Sequence, residues 1–350
     1  MKRKSIKMSL TLLLMVVVSC DEPETVVTNY VHPDGSVTRK IEMRSTKKDF
    51  KKSDLQVPFD STWTVNNTLE INAKGDTTWI ESAVKDFKNT EEINNSYKTD
   101  SGANREIRRQ AIFNKRFKWF NTEYRFSERI DKKLSFGYSV KDFLNSDELI
   151  YFYSPEFVKQ NKENGPDSLK FRSLADSVKH KTDEWTIKNL VSGWIDEFSK
   201  LTEGKAGGAM TRESLKAREN EFLKIVEQNA KDLDSLWSKG ILLKEFIGEA
   251  NALKYKADAD TAFESVVEDF TPKFNEYSVR IAMPGKLIGT NGFIDSSKVL
   301  FWPVKSDFFL VDQYDMWAES KIPNRWAWIV SGLFLVFVLT GVIVRRKKAE

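Results

Sequence analysis

The 350-residue chain has one cysteine, Cys20, and two histidines, His32 and His180. A lone thiol excludes an internal disulfide, a cysteine-based zinc cluster and an iron–sulfur site. With so little imidazole, a metal centre would be mostly carboxylate, and a serine triad would have to recruit one of the two histidines. His180 lies between Lys179 and Lys181 on a helical stretch and His32 lies in a turn, so both read as bystanders. There is no HExxH, no GxSxG, no SxxK paired with KTG and no EF-hand loop. Residues 204–208 are glycine-rich but lack P-loop spacing and its terminal Lys-Ser/Thr. No cofactor and no catalytic residue is expected.

An excess of charge of one sign is also missing from the body. The formal charge is +4, which invites a nucleic-acid reading. Residues 1–20 hold four bases and no acid, and residues 345–350 hold four bases and one acid. The stretch 21–344 carries 47 bases and 50 acids. The positive charge therefore belongs to the two ends, and the argument for nucleic acid lapses. What the chain does have is aromatic: 24 Phe, 10 Trp and 9 Tyr, a composition that favours strands and interfaces.

The two ends read as membrane signals. A cationic segment, 1–7, precedes a mostly apolar run, 8–18, and then Ser19-Cys20. Eleven residues rise about 16 Å as helix, against a hydrocarbon core of about 30 Å, so this run reads as an export signal and not a span. Val17-Val18-Ser19-Cys20 resembles the lipobox of bacterial lipoproteins. That resemblance implies cleavage after residue 19 and acylation of Cys20, with 20–24 as a tether. At the other end, 326–344 is uncharged over 19 residues. It would rise about 28 Å, enough to cross a bilayer. Trp326 and Trp328 stand where an interfacial belt is expected, and Arg345, Arg346, Lys347 and Lys348 form a basic stop. The positive-inside rule then puts 345–350 in the cytoplasm and the body outside it, at the inner membrane.

Between the anchors the pattern changes twice. Residues 25–138 read as β-rich, with hairpins at 25–44 and 60–80, a partly helical stretch from 84 to 98, and a long strand or strand pair at 107–130. In that last stretch the apolar parity switches at 119–120, which suggests a bulge or a change of buried face. Residues 139–273 have helical spacing. An amphipathic helix is expected over 169–201, and a second over 212–237 as its antiparallel partner after a flexible link at 204–210. Period two returns over 274–320, with a final strand at 308–317 and a linker at 321–325. The expected class is α+β: an antiparallel β-sheet domain formed by N- and C-terminal strands, a long helical insertion and one C-terminal transmembrane helix.

Met283-Pro284-Gly285-Lys286, then Thr290-Asn291-Gly292, then Trp302, followed by strand, apolar helix and basic tail, resemble the C-terminal part of LppM-type bacterial lipoproteins. Asp34-Gly35-Ser36 in an early Thr-rich hairpin fits the same plan. The likeness covers 274–350 and, loosely, 20–45; the longer, more helical middle does not match. It implies a β domain with an apolar groove for lipid-like ligands, and makes Pro284, Gly285, Asn291, Gly292 and Trp302 candidate motif residues. Pro, Gly and Asn are equally what ordinary turns require. The expected function is a non-enzymatic, membrane-anchored envelope lipoprotein binding a hydrophobic or lipid-like ligand or an envelope protein. The alternatives are a helical scaffold for an envelope complex, or a hydrolase using carboxylate pairs such as Asp183-Glu184 or Asp196-Glu197.

Overall fold

The computed structural model describes residues 23–47, 50, 55–73, 75–100, 105–134, 137–161, 169–205, 210–229, 233–271 and 274–347. Cys20, the signal segment and residues 348–350 lie outside the described residues. The architecture is α+β, as the pattern predicts. The chain forms two compact units: a β unit from 23–131, 275–305 and 313–350, and a helical unit from 132–274 and 306–312.

The β unit holds two sheets and runs first through β1 (Glu24–Val31), β2 (Val37–Ser45), β3 (Thr64–Ile71), β4 (Thr77–Phe87) and helix α1 (Thr90–Lys98). The strands β5 (Arg109–Lys118), β6 (Asn121–Ile130), β7 (Tyr277–Ala282), β8 (Lys286–Thr290), β9 (Phe293–Ile294), β10 (Leu300–Val304) and β11 (Tyr314–Pro323) follow. The larger sheet has the order β3-β4-β2-β1-β7-β10-β9 and the smaller β5-β6-β11-β8. N- and C-terminal strands do share a sheet, and they meet in parallel: Val27 of β1 lies opposite Val279 of β7.

Alternation sets the inner faces. Val37, Arg39, Ile41 and Met43 of β2 are buried, as are Tyr124, Phe126, Glu128 and Ile130 of β6 and Tyr314, Met316 and Ala318 of β11. Residues between them face outward, as a period of two requires. The parity switch at 119–120 is a hairpin turn between β5 and β6, not a bulge: Lys118 pairs with Asn121. Strand β4 runs on to Phe87 through residues expected to be partly helical. Helix α1 then starts at a cap: Asn89 accepts from the Glu92 amide and the Glu92 carboxylate accepts from the Lys88 amide. Asn94 of α1 exchanges two hydrogen bonds with the backbone of Ala111, covering the free edge of β5.

The final strand also differs. Phe308, Phe309, Leu310 and Val311 are an unbroken apolar run, all buried. Ser306–Phe309 forms a short 3-10 turn, and Leu310 and Val311 pack in the helical unit. Strand β11 starts only at Tyr314, where alternation resumes, and continues to Pro323. The 321–325 segment is therefore mostly strand rather than linker.

The helical unit contains α2 (Ser146–Tyr153), α3 (Pro155–Asn161), α4 (Leu169–Thr202), α5 (Arg212–Ala217), α6 (Glu219–Gln228), α7 (Leu233–Ser238), α8 (Ile241–Ile247) and α9 (Glu249–Phe270). Helix α4 is as expected. The expected helix over 212–237 is three short ones, interrupted at Arg218 and again after Gln228. The long partner of α4 is α9. Trp185 and Val178 share a cluster with Val266 and Phe270, while Phe198 lies with Ala252 and Tyr255, so the two run antiparallel. Ala252, Ala259 and Ala262 leave room for the Trp194 and Phe198 rings, which stack at 4.8 Å, and the Trp194 indole donates to the Ala259 carbonyl.

At the start of α2, Asn145 and Glu148 form a reciprocal capping box. Glu148 is buried and also accepts from Lys181 and Ser177 of α4. The Lys181 hydrogen bond, foremost, holds the Glu148 carboxyl at about 2. A carboxyl lowered on folding stabilises the protein above its unfolded value of 4.5, and that contribution is lost as pH falls toward about 2. Glu148→Gln is expected to be less stable at neutral pH and to lose part of the acid destabilisation between those values, read as urea midpoints followed by far-UV circular dichroism.

Candidate functional site at the base of the apolar helix

The LppM-like motif residues lie where the chain changes sheets. Strand β7 belongs to the larger sheet, β8 to the smaller and β9 to the larger again. The first crossing passes through Pro284 and Gly285. The Pro284 carbonyl accepts from the Ser320 hydroxyl at 2.7 Å. Gly285 has φ +79°, and a Cβ there would stand 2.5 Å from the Lys321 carbonyl oxygen, so only glycine fits.

The return crossing is at Asn291 and Gly292. The Asn291 carboxamide oxygen accepts from the Trp317 amide at 2.9 Å and from the Trp302 indole at 3.0 Å. Its nitrogen donates to the Asp315 carbonyl at 2.6 Å. One side chain thus occupies a strand position beside β11 and ties the buried Trp302 of the opposite sheet to it. A Cβ on Gly292 would fall 2.5 Å from the Trp302 ring. The polar atoms of this motif are engaged in joining the sheets.

A second junction between the sheets was not visible as a motif. Arg39 of β2 and Glu128 of β6 form a buried ion pair at 3.1 Å. Arg39 also donates to Asn29 and to the Tyr97 hydroxyl, each at 2.7 Å. Asn29 and Tyr97 in turn donate to Glu128. Burial opposes the Arg39 charge, yet Glu128 and Tyr97 outweigh it and hold the guanidinium above its ordinary value. Burial pushes the Tyr97 hydroxyl up, so it stays a neutral donor. Each group here serves another, an arrangement suited to holding two sheets and not to acid–base chemistry.

At the β1–β2 turn, His32, Asp34, Thr38 and Asp86 help line a solvent-open cleft of about 570 Å³. The Thr38 hydroxyl donates to Asp86 at 2.6 Å and lies 3.1 Å from His32 Nε2. A nucleophilic threonine would have to give its proton to the histidine. Here the proton points to the carboxylate, so His32 is not placed as its base.

The remaining predicted residues lie on α10 (Arg325–Lys347), a helix of mean hydropathy 2.5 over its most apolar window and long enough to cross a membrane. Trp326, Trp328, Arg345 and Arg346 are all exposed on it. Only Asn324 separates α10 from β11, and every polar group of its side chain is engaged. Its amide donates to the Phe120 carbonyl at 2.9 Å, its Nδ2 to the Lys118 carbonyl at 2.7 Å, and its Oδ1 accepts from Thr122 at 2.9 Å. The β5–β6 turn is thereby bolted to the first turn of the helix.

Aromatic rings gather around that bolt. Phe117 stacks on Trp326 at 6.3 Å, Trp119 meets Trp326 edge-on at 5.2 Å, and Phe120 lies 4.4 Å from Trp328. The Trp119 indole donates to the Ser331 hydroxyl at 2.9 Å. The pattern marks Trp326 and Trp328 as interfacial, whereas Phe117, Trp119 and Phe120 fall within the 107–130 strand stretch with nothing in their spacing to link them to the helix. The available signal was Trp119-Phe120 sitting at the parity break, where a turn would expose them.

No family model matches the chain, and no curated protein matches it. Among solved structures, the NMR structure of the folded domain of the Mycobacterium tuberculosis LppM protein is similar, with 11% identity, 87% of this chain and 92% of that chain covered, and a TM-score of 0.27. That is a distant likeness of fold, and it assigns no residue and no ligand.

Two substitutions test the junctions. Glu128→Leu leaves a buried guanidinium unpaired and is expected to cost about 3–5 kcal/mol, with part recovered by adding Arg39→Met. Gly292→Ala forces Trp302 aside and is expected to cost about 1–3 kcal/mol. Both are read from urea denaturation of the β unit followed by tryptophan fluorescence.

Proposed function

We propose that this chain is a non-enzymatic envelope lipoprotein of the bacterial inner membrane. It is held by an acyl group on Cys20 and by α10 as a single transmembrane span, with its body on the extracytoplasmic side. There it binds a hydrophobic or lipid-like ligand or an envelope protein. The observation that carries the reading is the single-residue junction at Asn324. A strand that passes into an apolar helix through one fully hydrogen-bonded residue mounts the β unit on the bilayer surface, because the helix cannot enter the membrane without bringing the sheet to it.

The binding half of the reading is supported by β3, an edge strand whose eight residues are all exposed. Val65, Leu69 and Ile71 share one parity on it, with Asn67 between the first two, at the outer edge of the sheet. Such an edge suits pairing with an extended partner segment or packing against an apolar ligand.

The test is fractionation of bacteria producing the full chain tagged at its C-terminus. The chain is expected to resist alkaline carbonate, and protease added to spheroplasts is expected to remove the body while sparing the tagged tail. Cys20→Ala should abolish incorporation of radioactive palmitate and leave the chain membrane-bound through α10. Release by carbonate, or digestion of the tail in intact spheroplasts, would overturn the topology. Lipid extraction and a photo-crosslinker at Asn67, on the same face of β3 as Val65 and Leu69, then separate the ligand and protein versions.

A further inference from the structure

We propose that the β5–β6 hairpin tip is a further membrane anchor, beside the acyl group and α10, with Phe117, Trp119 and Phe120 seated in the headgroup–acyl boundary of the bilayer that α10 enters. The proposal rests on the reading of α10 as a span and adds an interfacial contact made by the body itself. Its first support is exposure. Phe117 is 59% exposed, Trp119 48% and Phe120 40%, beside Trp326 at 50% and Trp328 at 59%. Phe117 and Trp119 contact Trp326, and Phe120 contacts Trp328; clustered exposed rings of this kind mark an interaction site, not a scatter of single residues.

The occupant follows from geometry. Trp119 bonds to Ser331, which is six residues beyond the first residue of α10, and six residues rise about 9 Å along a helix. The tip therefore runs alongside the first turn and a half of the apolar helix. The residues of α10 on either side of Ser331, Ile329, Val330 and Leu333, are themselves exposed. Any bilayer position that covers those residues also covers the tip. An aqueous protein partner at this patch would have to displace lipid from the helix it adjoins.

The side chains suit that depth. Tryptophan, with an apolar ring and one polar N–H, prefers the membrane interface, and the Trp119 N–H already has its partner in Ser331. Lys118, the strand residue that leads into the turn, is paired with Glu123 on the body side, at 2.5 Å. Its long apolar stem lets the ammonium stay in the headgroup layer. Residues 119–122 carry no charge, so nothing ionised has to enter the acyl region. Interfacial amphipathic helices lie about 5–10 Å into the boundary, comparable with the roughly 9 Å of α10 that the tip runs beside.

The test uses the full chain with Cys20→Ser, so that one introduced cysteine is unique. It is labelled with nitrobenzoxadiazole and reconstituted in phosphatidylcholine–phosphatidylglycerol vesicles bearing a spin label high on the acyl chain. Labels at Phe117→Cys and at Phe120→Cys are expected to be blue-shifted and quenched relative to a label at Thr68→Cys on the exposed strand β3. A label at Leu335→Cys reports the helix separately. If Leu335→Cys is lipid-exposed while both tip labels behave like Thr68→Cys, the interfacial anchor is overturned and the single span survives. If Leu335→Cys is also in water, the membrane reading of α10 fails and the anchor fails with it.

Discussion

The β unit depends on one buried contact, the Arg39–Glu128 ion pair. Two full charges sit between two sheets, where desolvation costs several kcal/mol per ion unless partners replace the lost water. Asn29 and Tyr97 supply those partners, each bonded to both ions. Apolar side chains of the same volume would hold the sheets with no less stability. What the pair adds is register. A one-residue slip of β2 or β6 would turn its charged group outward and leave the other buried alone. The pair thus selects one arrangement of β1, β2, β6 and α1 among many that would bury similar apolar area.

The other ties between the sheets follow the same logic with neutral groups. Asn291 brings the Trp302 indole to the backbone of β11, and Gly285 and Gly292 clear the space in which the chain changes sheets. Asn324 repeats the device at the end of β11, where its carboxamide fastens the β5–β6 turn to the start of α10. Three asparagines, 29, 291 and 324, each act as donor and acceptor at once. A carboxamide does not titrate, and the partners of Asn291 and Asn324 are backbone, hydroxyl and indole groups, so those two ties do not depend on pH as the Glu148–Lys181 contact does.

Much of this was readable from pattern. The hairpin at 25–44, helix α4 and the apolar helix with its flanking tryptophans follow from periods of two and 3.6 and from the length of an uncharged run. The errors share a cause. Residues 308–311 and 212–237 are apolar enough for a strand and a long helix, yet the first packs among helices and the second breaks at Arg218 and after Gln228. Composition reports that a residue will be buried; which element buries it is decided by neighbours remote in sequence. The same holds for the parity switch at 119–120, where one residue of offset separates a bulge from a hairpin, and for Arg39 and Glu128, 89 positions apart.

By itself the sequence determined the class of the fold, the apolar C-terminal helix and the narrow range of chemistry open to a chain with one thiol and two imidazoles. These depend on quantities local to a stretch of chain: its period, its length and its composition. Only the tertiary structure decided that the LppM-like motif residues serve as sheet crossings, that a buried ion pair sets the register, and that Phe117, Trp119 and Phe120 gather beside Trp326 and Trp328. Those outcomes are contacts between residues separated in sequence, by 89 positions for Arg39 and Glu128 and by 212 for Trp119 and Ser331, and no local period encodes which distant side chain a given one will meet.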